Sequence, residues 1–62
     1  MAYKLYSVNL LGQLSNPMRV DATTDAHALR EAQGMLAPDD DGEVWRQGYR
    51  VGKVRSERRL AG

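Results

Sequence analysis

The sequence predicts an α+β fold in which a four-stranded, mostly antiparallel sheet carries one helix on one face, in the order β-β-α-β-β. Three observations predict it. Residues 24–36 have a helical apolar period, four short segments around them have the composition of strands, and turn-forming residues separate these segments. Because the helix is short and its apolar stripe is narrow, we expect it to be stable only when it packs on the sheet.

The helix is predicted within residues 23–38, TTDAHALREAQGMLAP. Its apolar residues recur at spacings of three and four, and they are Ala28, Leu29, Ala32, Met35 and Leu36. Thr24 is the predicted N-cap, since its hydroxyl can accept a hydrogen bond from a free amide of the first turn. His27 and Glu31 are four residues apart, so we expect them to meet on the exposed side of the helix.

A first hairpin is predicted from residues 3–10, YKLYSVNL, and 18–22, MRVDA. Both faces of the first segment contain apolar residues, which is typical of a central strand and leaves open which face meets the helix. The second segment alternates, with Met18, Val20 and Ala22 inward. Leu14 has the same parity and is a candidate start for this strand, with Pro17 at an edge or a bulge.

A second hairpin is predicted from residues 43–46 and 49–55, EVWR and YRVGKVR, joined by Gln47 and Gly48. A two-residue loop predicts the cross-strand pairs Arg46–Tyr49, Trp45–Arg50 and Val44–Val51. Val44, Tyr49 and Val51 then face the helix. Trp45, Arg50 and Val54 take the opposite face. A bulged turn that shifts the register by one residue is the alternative.

Length and composition indicate one domain, which we place at residues 1–55, followed by a mobile basic tail at residues 56–62. A chain of 62 residues has a small core, and it contains no cysteine, which excludes disulfides and thiolate metal sites. No apolar run approaches the ~20 residues of a membrane span. The N-terminal segment also lacks the pattern of a signal peptide, so we expect a cytoplasmic protein without a membrane partner.

Charge is distributed unevenly along the chain although the net charge is +1. Residues 1–45 carry three basic and seven acidic side chains, whereas residues 46–62 carry six basic and one acidic. The basic end is therefore suited to an anionic partner or to the acidic half of a second copy.

The order of these segments resembles a group of small bacterial β-β-α-β-β proteins of unknown function. The resemblance rests on the aromatic-rich strand YKLYSV, on the helix start Thr24-Asp25-Ala26-His27-Ala28, and on a Val-Trp-x-x-Gly-x-Arg-Val hairpin. In that hairpin the matching residues are Val44, Trp45, Gly48, Arg50 and Val51. The resemblance covers roughly residues 3–55 and implies a small α+β domain without implying an activity.

Catalytic and metal-binding patterns are weak in this sequence. His27 is the one histidine, and general acid–base chemistry also requires a positioned partner and a pocket. Asp39, Asp41 and Glu43 alternate near Gly42, but the acidic residue that closes a calcium-binding loop is absent. We therefore expect no enzymatic activity, no cofactor and no metal.

The leading functional hypothesis is a non-enzymatic protein-interaction module that acts through the open sheet face or an edge strand. Its partner is another protein or a second copy of the chain, because a dimer would bury surface that so small a monomer cannot. The candidate partner-binding residues are Trp45, Arg50, Tyr3, Leu5 and Val54. Alternatively, Trp45 folds over its own hairpin with Arg50 stacked on its ring.

The second hypothesis is nucleic-acid binding by the C-terminal hairpin and tail. The candidate residues are Arg46, Lys53, Arg55, Arg58 and Arg59, which would contact phosphates while Trp45 and Tyr49 stack on bases. Strand alternation counts against a single basic patch, because it places Arg46, Lys53 and Arg55 opposite to Arg50 unless a bulge intervenes.

Overall fold

A computed structural model describes residues 2–58 and confirms the predicted architecture. Its elements in chain order are β1 (Ala2–Val8), β2 (Met18–Asp21), α1 (Asp25–Met35), β3 (Asp41–Arg46) and β4 (Tyr49–Arg55). The strands form one sheet in the order β2-β1-β3-β4, with every neighbouring pair antiparallel. Helix α1 packs on one side of this sheet, and β1 and β3 are the two central strands.

The helix begins where the sequence predicts it. Thr24 has extended backbone angles, and its Oγ1 accepts a hydrogen bond of 3.1 Å from the backbone amide of His27. The acidic side chain of Asp25 lies in the first turn, where it interacts favourably with the helix dipole. At the other end Leu36 returns to extended angles, two residues before Pro38, so the helix ends at Met35.

The buried side of the helix consists of small residues. Ala28 and Ala32 are fully buried, and Leu36 is buried directly after the helix. Such small side chains allow the helix backbone to lie close to the sheet. The prediction that Met35 belongs to this stripe is wrong, because Met35 is 40% exposed. The helix ends there, and the extended Leu36 turns into the core instead.

The core also decides which face of β1 meets the helix. Its members are Tyr3, Leu5, Val20, Ala22, Ala28, Ala32, Leu36 and Val44. Tyr3 and Leu5 are 1% and 0% exposed, respectively, and lie on the helix side of the sheet. Their predicted place on the open face is therefore wrong. Apolar residues on both faces of β1 left this choice open in the sequence.

The turn of the second hairpin has the predicted length. Arg46 pairs with Tyr49 and Trp45 pairs with Arg50, as a two-residue loop requires. Both loop residues, Gln47 and Gly48, have positive φ angles of 47° and 88°. Type I′ turns need positive φ at both positions, and their twist matches that of the flanking strands.

A β-bulge interrupts this hairpin directly after the Trp45–Arg50 pair. Val44 pairs with Gly52 rather than with Val51, so the predicted Val44–Val51 pair is wrong. Val51 is the extra residue, and its side chain packs against the core as predicted. Val54 also packs against the core and pairs with Gly42, so its predicted place on the opposite face is wrong. An extra residue reverses the alternation of every residue that follows it.

The first hairpin is shorter than predicted. Strand β2 begins at Met18, and Leu14 forms only an isolated bridge with Val8. Leu14 is 67% exposed, so it is not an inward-facing strand residue. Met18 pairs with Leu5 and shares its face, but it is 36% exposed at the margin of the sheet.

The residues that follow β4 contact the loop before β3. The amide of Ser56 donates to the carbonyl of Asp40, and the amide of Asp39 donates to the carbonyl of Arg58, both at 3.0 Å. Residues 59–62 of the predicted tail, including Arg59, lie outside the described residues. Within residues 2–58, no helix is long and apolar enough to cross a membrane.

Candidate functional site

The side of the sheet that faces away from α1 is the candidate functional site, and we call it the outer face. Strand alternation and register place on it Lys4, Tyr6, Val8, Arg19, Asp21, Asp41, Glu43, Trp45, Arg50, Lys53 and Arg55. No helix or strand in the described part of the chain packs over this face. It is therefore the broad surface of the sheet that remains open to a partner.

Trp45 and Arg50 lie on the outer face as predicted, and Glu43 joins them. The indole Nε1 of Trp45 donates to Glu43 Oε1 at 3.4 Å, and Arg50 Nη1 donates to Glu43 Oε2 at 3.3 Å. The alternative in which Arg50 stacks on Trp45 is not found, because the cation–ring contacts of the described residues are those of Arg46 with Tyr3 and Tyr49. Glu43 thus holds the aromatic ring and the cation side by side, while Trp45 is only partly buried.

Tyr6 is a second aromatic residue of the outer face, which the sequence reasoning did not assign to it. It lies on β1 opposite Glu43, and Lys4 on the same strand lies opposite Trp45. The two partly buried rings therefore occupy neighbouring central strands. The signal available in the sequence was strand alternation. If Tyr3 and Leu5 face the helix, Tyr6 must lie on the outer face.

The bulge brings the cations of β4 onto the outer face. Lys53 pairs with Glu43, and Arg55 pairs with Asp41, with 3.9 Å between Arg55 Nε and Asp41 Oδ1. The prediction from strict alternation, that Lys53 and Arg55 point away from Arg50, is therefore wrong. That prediction excepted the case of a bulge, and a bulge is present. These three cations share one face with Trp45.

Arg46 belongs to a different cluster, on the helix side of the sheet. Tyr3 donates its phenol hydrogen to Asp25 Oδ1 at 2.8 Å, and Arg46 Nη1 lies 3.6 Å from the same oxygen. The Arg46 guanidinium also lies 4.9 Å from the centre of the Tyr49 ring. This cluster ties the first turn of α1 to the sheet, and it separates Arg46 from the other nucleic-acid candidates.

The pKa values of Tyr3 and Arg46 are both raised, which favours the protonated forms that contact Asp25. Burial raises the pKa of the Tyr3 phenol above its ordinary value of 10.0, and the hydrogen bond to Asp25 acts in the same direction. Desolvation acts to lower the pKa of Arg46, but Tyr49 and Asp25 act to raise it, and the net direction is upward. At neutral pH Tyr3 is therefore a hydrogen-bond donor and Arg46 a cation.

Comparisons with protein-family models, curated proteins and solved structures found no match to this chain. The resemblance to small bacterial proteins of unknown function therefore stays a prediction.

His27 lies where the helical spacing predicts. Its Nε2 is 3.3 Å from Glu31 Oε1, and both side chains are about half exposed, at 46% and 54%. The pair is on the exposed side of α1, away from the outer face. In the described residues, no group of three or more His, Asp or Glu side chains is arranged to hold a metal ion.

An open concavity of about 760 Å³ lies at one end of the outer face. Residues from the start of β1 and the end of β3 line it, among them Lys4, Tyr6 and Trp45. Arg19 of β2 contributes to its rim. The concavity combines aromatic surface with cationic side chains.

The opposite end of the sheet carries an exposed apolar turn, which the sequence reasoning treated only as a connection. We call residues 9–14 the leucine turn. Leu10, Leu11 and Leu14 are 80%, 82% and 67% exposed. The signal available in the sequence was three leucines within residues 9–17, a stretch that contains no charged residue.

Proposed function

We propose that this domain is a non-enzymatic binding module that recognises another protein chain through its outer face. The observation that carries the proposal is the pair Tyr6 and Trp45, partly buried on the two central strands of an uncovered face. Cytoplasmic location and bacterial origin stay predictions from the sequence.

The composition of the outer face supports a protein partner. Tryptophan, tyrosine and arginine are enriched among the residues that dominate binding energy at protein interfaces. Here Tyr6 and Trp45 lie on the two central strands, and Arg50 lies opposite Trp45 on edge strand β4, with charged residues around them. An aromatic centre with a polar rim is the usual anatomy of such an interface.

The electrostatics of this face also favour a protein. Arg50, Arg55 and Arg19 each lie near a carboxylate of the same face, namely Glu43, Asp41 and Asp21. A surface of mixed charge is suited to a partner that presents both signs, since complementary charges provide specificity.

Affinity capture tests this proposal with Trp45→Ala and Tyr6→Ala as the probing variants. Immobilised wild-type protein is expected to retain specific proteins from a native lysate, which mass spectrometry would identify. Truncation of a central aromatic residue typically costs about 2 kcal/mol or more, so each variant should bind the purified partner ~30-fold more weakly.

His27→Ala is the matched control, because it removes an exposed ring on the opposite side of the molecule. It should retain the same proteins as the wild type, and circular dichroism would verify that all variants are folded. If the Trp45→Ala and Tyr6→Ala variants retain the same proteins with unchanged affinity, the outer face is not the binding surface.

Single-stranded nucleic acid is the second candidate ligand, and the bulge is the observation that favours it. By placing Arg50, Lys53 and Arg55 on the same face as Trp45, it removes the geometric objection to a joint basic and aromatic surface. Bases can stack on aromatic rings while cations contact the backbone phosphates. Arg46 is excluded from this surface, since it lies in the Tyr3–Asp25 cluster on the helix side.

Fluorescence titration tests this candidate, because Trp45 is the one tryptophan of the chain. Binding of a single-stranded oligonucleotide should quench Trp45 at low salt. Each phosphate contact contributes ~0.7 to the slope of log affinity against log salt, so the double variant Lys53→Gln, Arg55→Gln should lower the slope by ~1.4.

Arg30→Gln, on the exposed side of the helix, is the matched control and should leave the slope unchanged. Absence of any quenching at low salt would eliminate nucleic acid as the ligand.

A further inference from the structure

We propose that two segments at one end of the sheet form a clasp, which opens as one unit while the sheet stays folded. The segments are the turn at residues 37–40, before β3, and the strap at residues 56–58, after β4. The clasp is independent of the proposed function, because it contains neither Tyr6 nor Trp45. Three features carry it: reciprocal backbone bonds, a left-handed residue in the turn, and little buried apolar surface.

The strap and the turn are bonded in both directions. The amide of Ser56 donates to the carbonyl of Asp40, and the amide of Asp39 donates to the carbonyl of Arg58, both at 3.0 Å. Within the strap, the amide of Arg58 donates to Ser56 Oγ at 3.1 Å. This bond fixes the bend that brings the Arg58 carbonyl to Asp39. Because each bond supports the geometry of the others, we expect the three to break together.

The turn depends on the strap because of the backbone of Asp39. The amide of Asp40 donates to the carbonyl of Ala37 at 3.0 Å, Pro38 follows Ala37, and Asp39 has a φ of 68°. These are the features of a type II turn, in which the third residue is usually glycine. Aspartate adopts the left-handed region at an energetic cost, which surrounding contacts have to offset. The strap supplies one such contact at the Asp39 amide, so the turn relaxes when the strap leaves.

The clasp is less stable than the sheet, because it buries little apolar surface. Ser56, at 5% exposure, is the one buried residue within 37–40 and 56–58, and its side chain is polar. The core cluster has no member in either segment. Segments with few buried apolar contacts open at lower free energies than the core does.

Opening changes one end of the molecule and leaves the rest in place. Lys53 and Arg55 belong to β4 and stay on the outer face, whereas Arg58 belongs to the strap and is released from the turn. The clasp is therefore a conformational device that determines whether the segment after β4 is held against the sheet.

Native-state hydrogen exchange of the full chain, followed by NMR, tests the proposal. The amides of Asp39, Asp40 and Ser56 are expected to have the same opening free energy, although Ser56 lies far along the chain from the other two. The amides bonded between β1 and β3 should have protection factors at least ~10-fold higher. Different opening free energies for Asp39 and Ser56 would overturn the proposal, and so would values equal to those of the β1–β3 amides.

Ser56→Ala tests the strap, because it removes the oxygen that accepts from the Arg58 amide. The loss of one net hydrogen bond should lower the protection factors of Asp39 and Ser56 together by ~5-fold. Ser15→Ala is the matched control, since Ser15 Oγ bonds to Ser7 instead, and it should leave both protection factors unchanged. Unchanged protection of Asp39 in Ser56→Ala, or an equal loss in Ser15→Ala, would overturn the proposal.

Val20→Ala separates opening of the clasp from global unfolding. Val20 is buried on β2, and β1 and β3 lie between β2 and β4. Its contacts persist when the clasp opens, so the substitution should lower the protection of the β1–β3 amides by ~10-fold and leave that of Asp39 and Ser56 unchanged. Circular dichroism would verify that the variant is folded. If Asp39 and Ser56 lost as much protection as the β1–β3 amides, the clasp would open only by global unfolding, and the proposal would fail.

Discussion

Replacing Leu5 with alanine is expected to lower the free energy of unfolding by about 2–5 kcal/mol. Leu5 is 0% exposed and lies on central strand β1, between Met18 of β2 and Val44 of β3. At roughly 0.05–0.15 kcal/mol per residue, a domain of this length has ~3–9 kcal/mol of stability in total. The loss would therefore remove a large fraction of the total stability, and chemical denaturation followed by circular dichroism would measure it.

Leu10→Ala is the matched control for this prediction. It makes the same chemical change at a side chain that is 80% exposed, so the free energy of unfolding should change by less than ~0.5 kcal/mol. Equal effects of the two substitutions would show that the helix side of β1 is not the core.

Local signals in the sequence were sufficient to predict the elements of this fold. The capping hydroxyl of Thr24, the alanine spacing of the helix and the Gln47-Gly48 turn each act over a few residues. Each of them is found in the structure. Such features depend on residues that are close together along the chain, so they can be recognised in a single sequence.

The bulge at Val51 was kept only as an alternative, because the leading prediction assumed strict alternation across the whole strand. Val51 and Val54 are three residues apart, so a regular strand cannot point both toward the core. Both pack there, and the extra residue makes this possible. An apolar spacing of three beside Gly52 was therefore a signal for the bulge. Recognising it would have placed Lys53 and Arg55 with Arg50.

The Tyr3–Asp25–Arg46 cluster has no comparable signal in the sequence. Tyr3 and Asp25 are 22 positions apart, and only the packing of α1 on the sheet brings the phenol to the carboxylate. Likewise, the choice between the two faces of β1 depends on the whole core. Since both faces carry tyrosine and aliphatic residues, the outer face could be assigned only once the helix was in place.

The small core and the exposed surfaces have a common physical origin. One helix covers one side of the sheet, so no helix or strand within residues 2–58 covers the partly buried rings of Tyr6 and Trp45. A domain of this size gains little stability from its own apolar surface. Binding a partner over the outer face would stabilise the folded state by mass action. Thermal stability should therefore rise when the purified partner is added.

Substituting alanine for Gly42 is expected to destabilise the domain by about 1–3 kcal/mol, as overpacking of a filled core does. Gly42 lies on β3 on the helix side. A Cβ there would be 2.8 Å from Leu5 Cδ1, 3.1 Å from Leu36 Cδ2 and 3.3 Å from the Tyr6 carbonyl oxygen. The leucine side chains can shift, but the carbonyl belongs to the neighbouring strand and cannot move without disturbing the sheet. Glycine thus allows β3 to lie beneath the end of the helix.

The same substitution at Gly34 is expected to have the opposite sign. Gly34 is an exposed helical residue, and a Cβ there would meet no atom within 4 Å. Because alanine favours the helix over glycine by up to ~1 kcal/mol, Gly34→Ala should raise the free energy of unfolding. Denaturation midpoints of the two variants against the wild type would measure both effects. A stabilising Gly42→Ala would mean that the helix does not approach β3 at this point, and the close packing of the core would have to be reassigned.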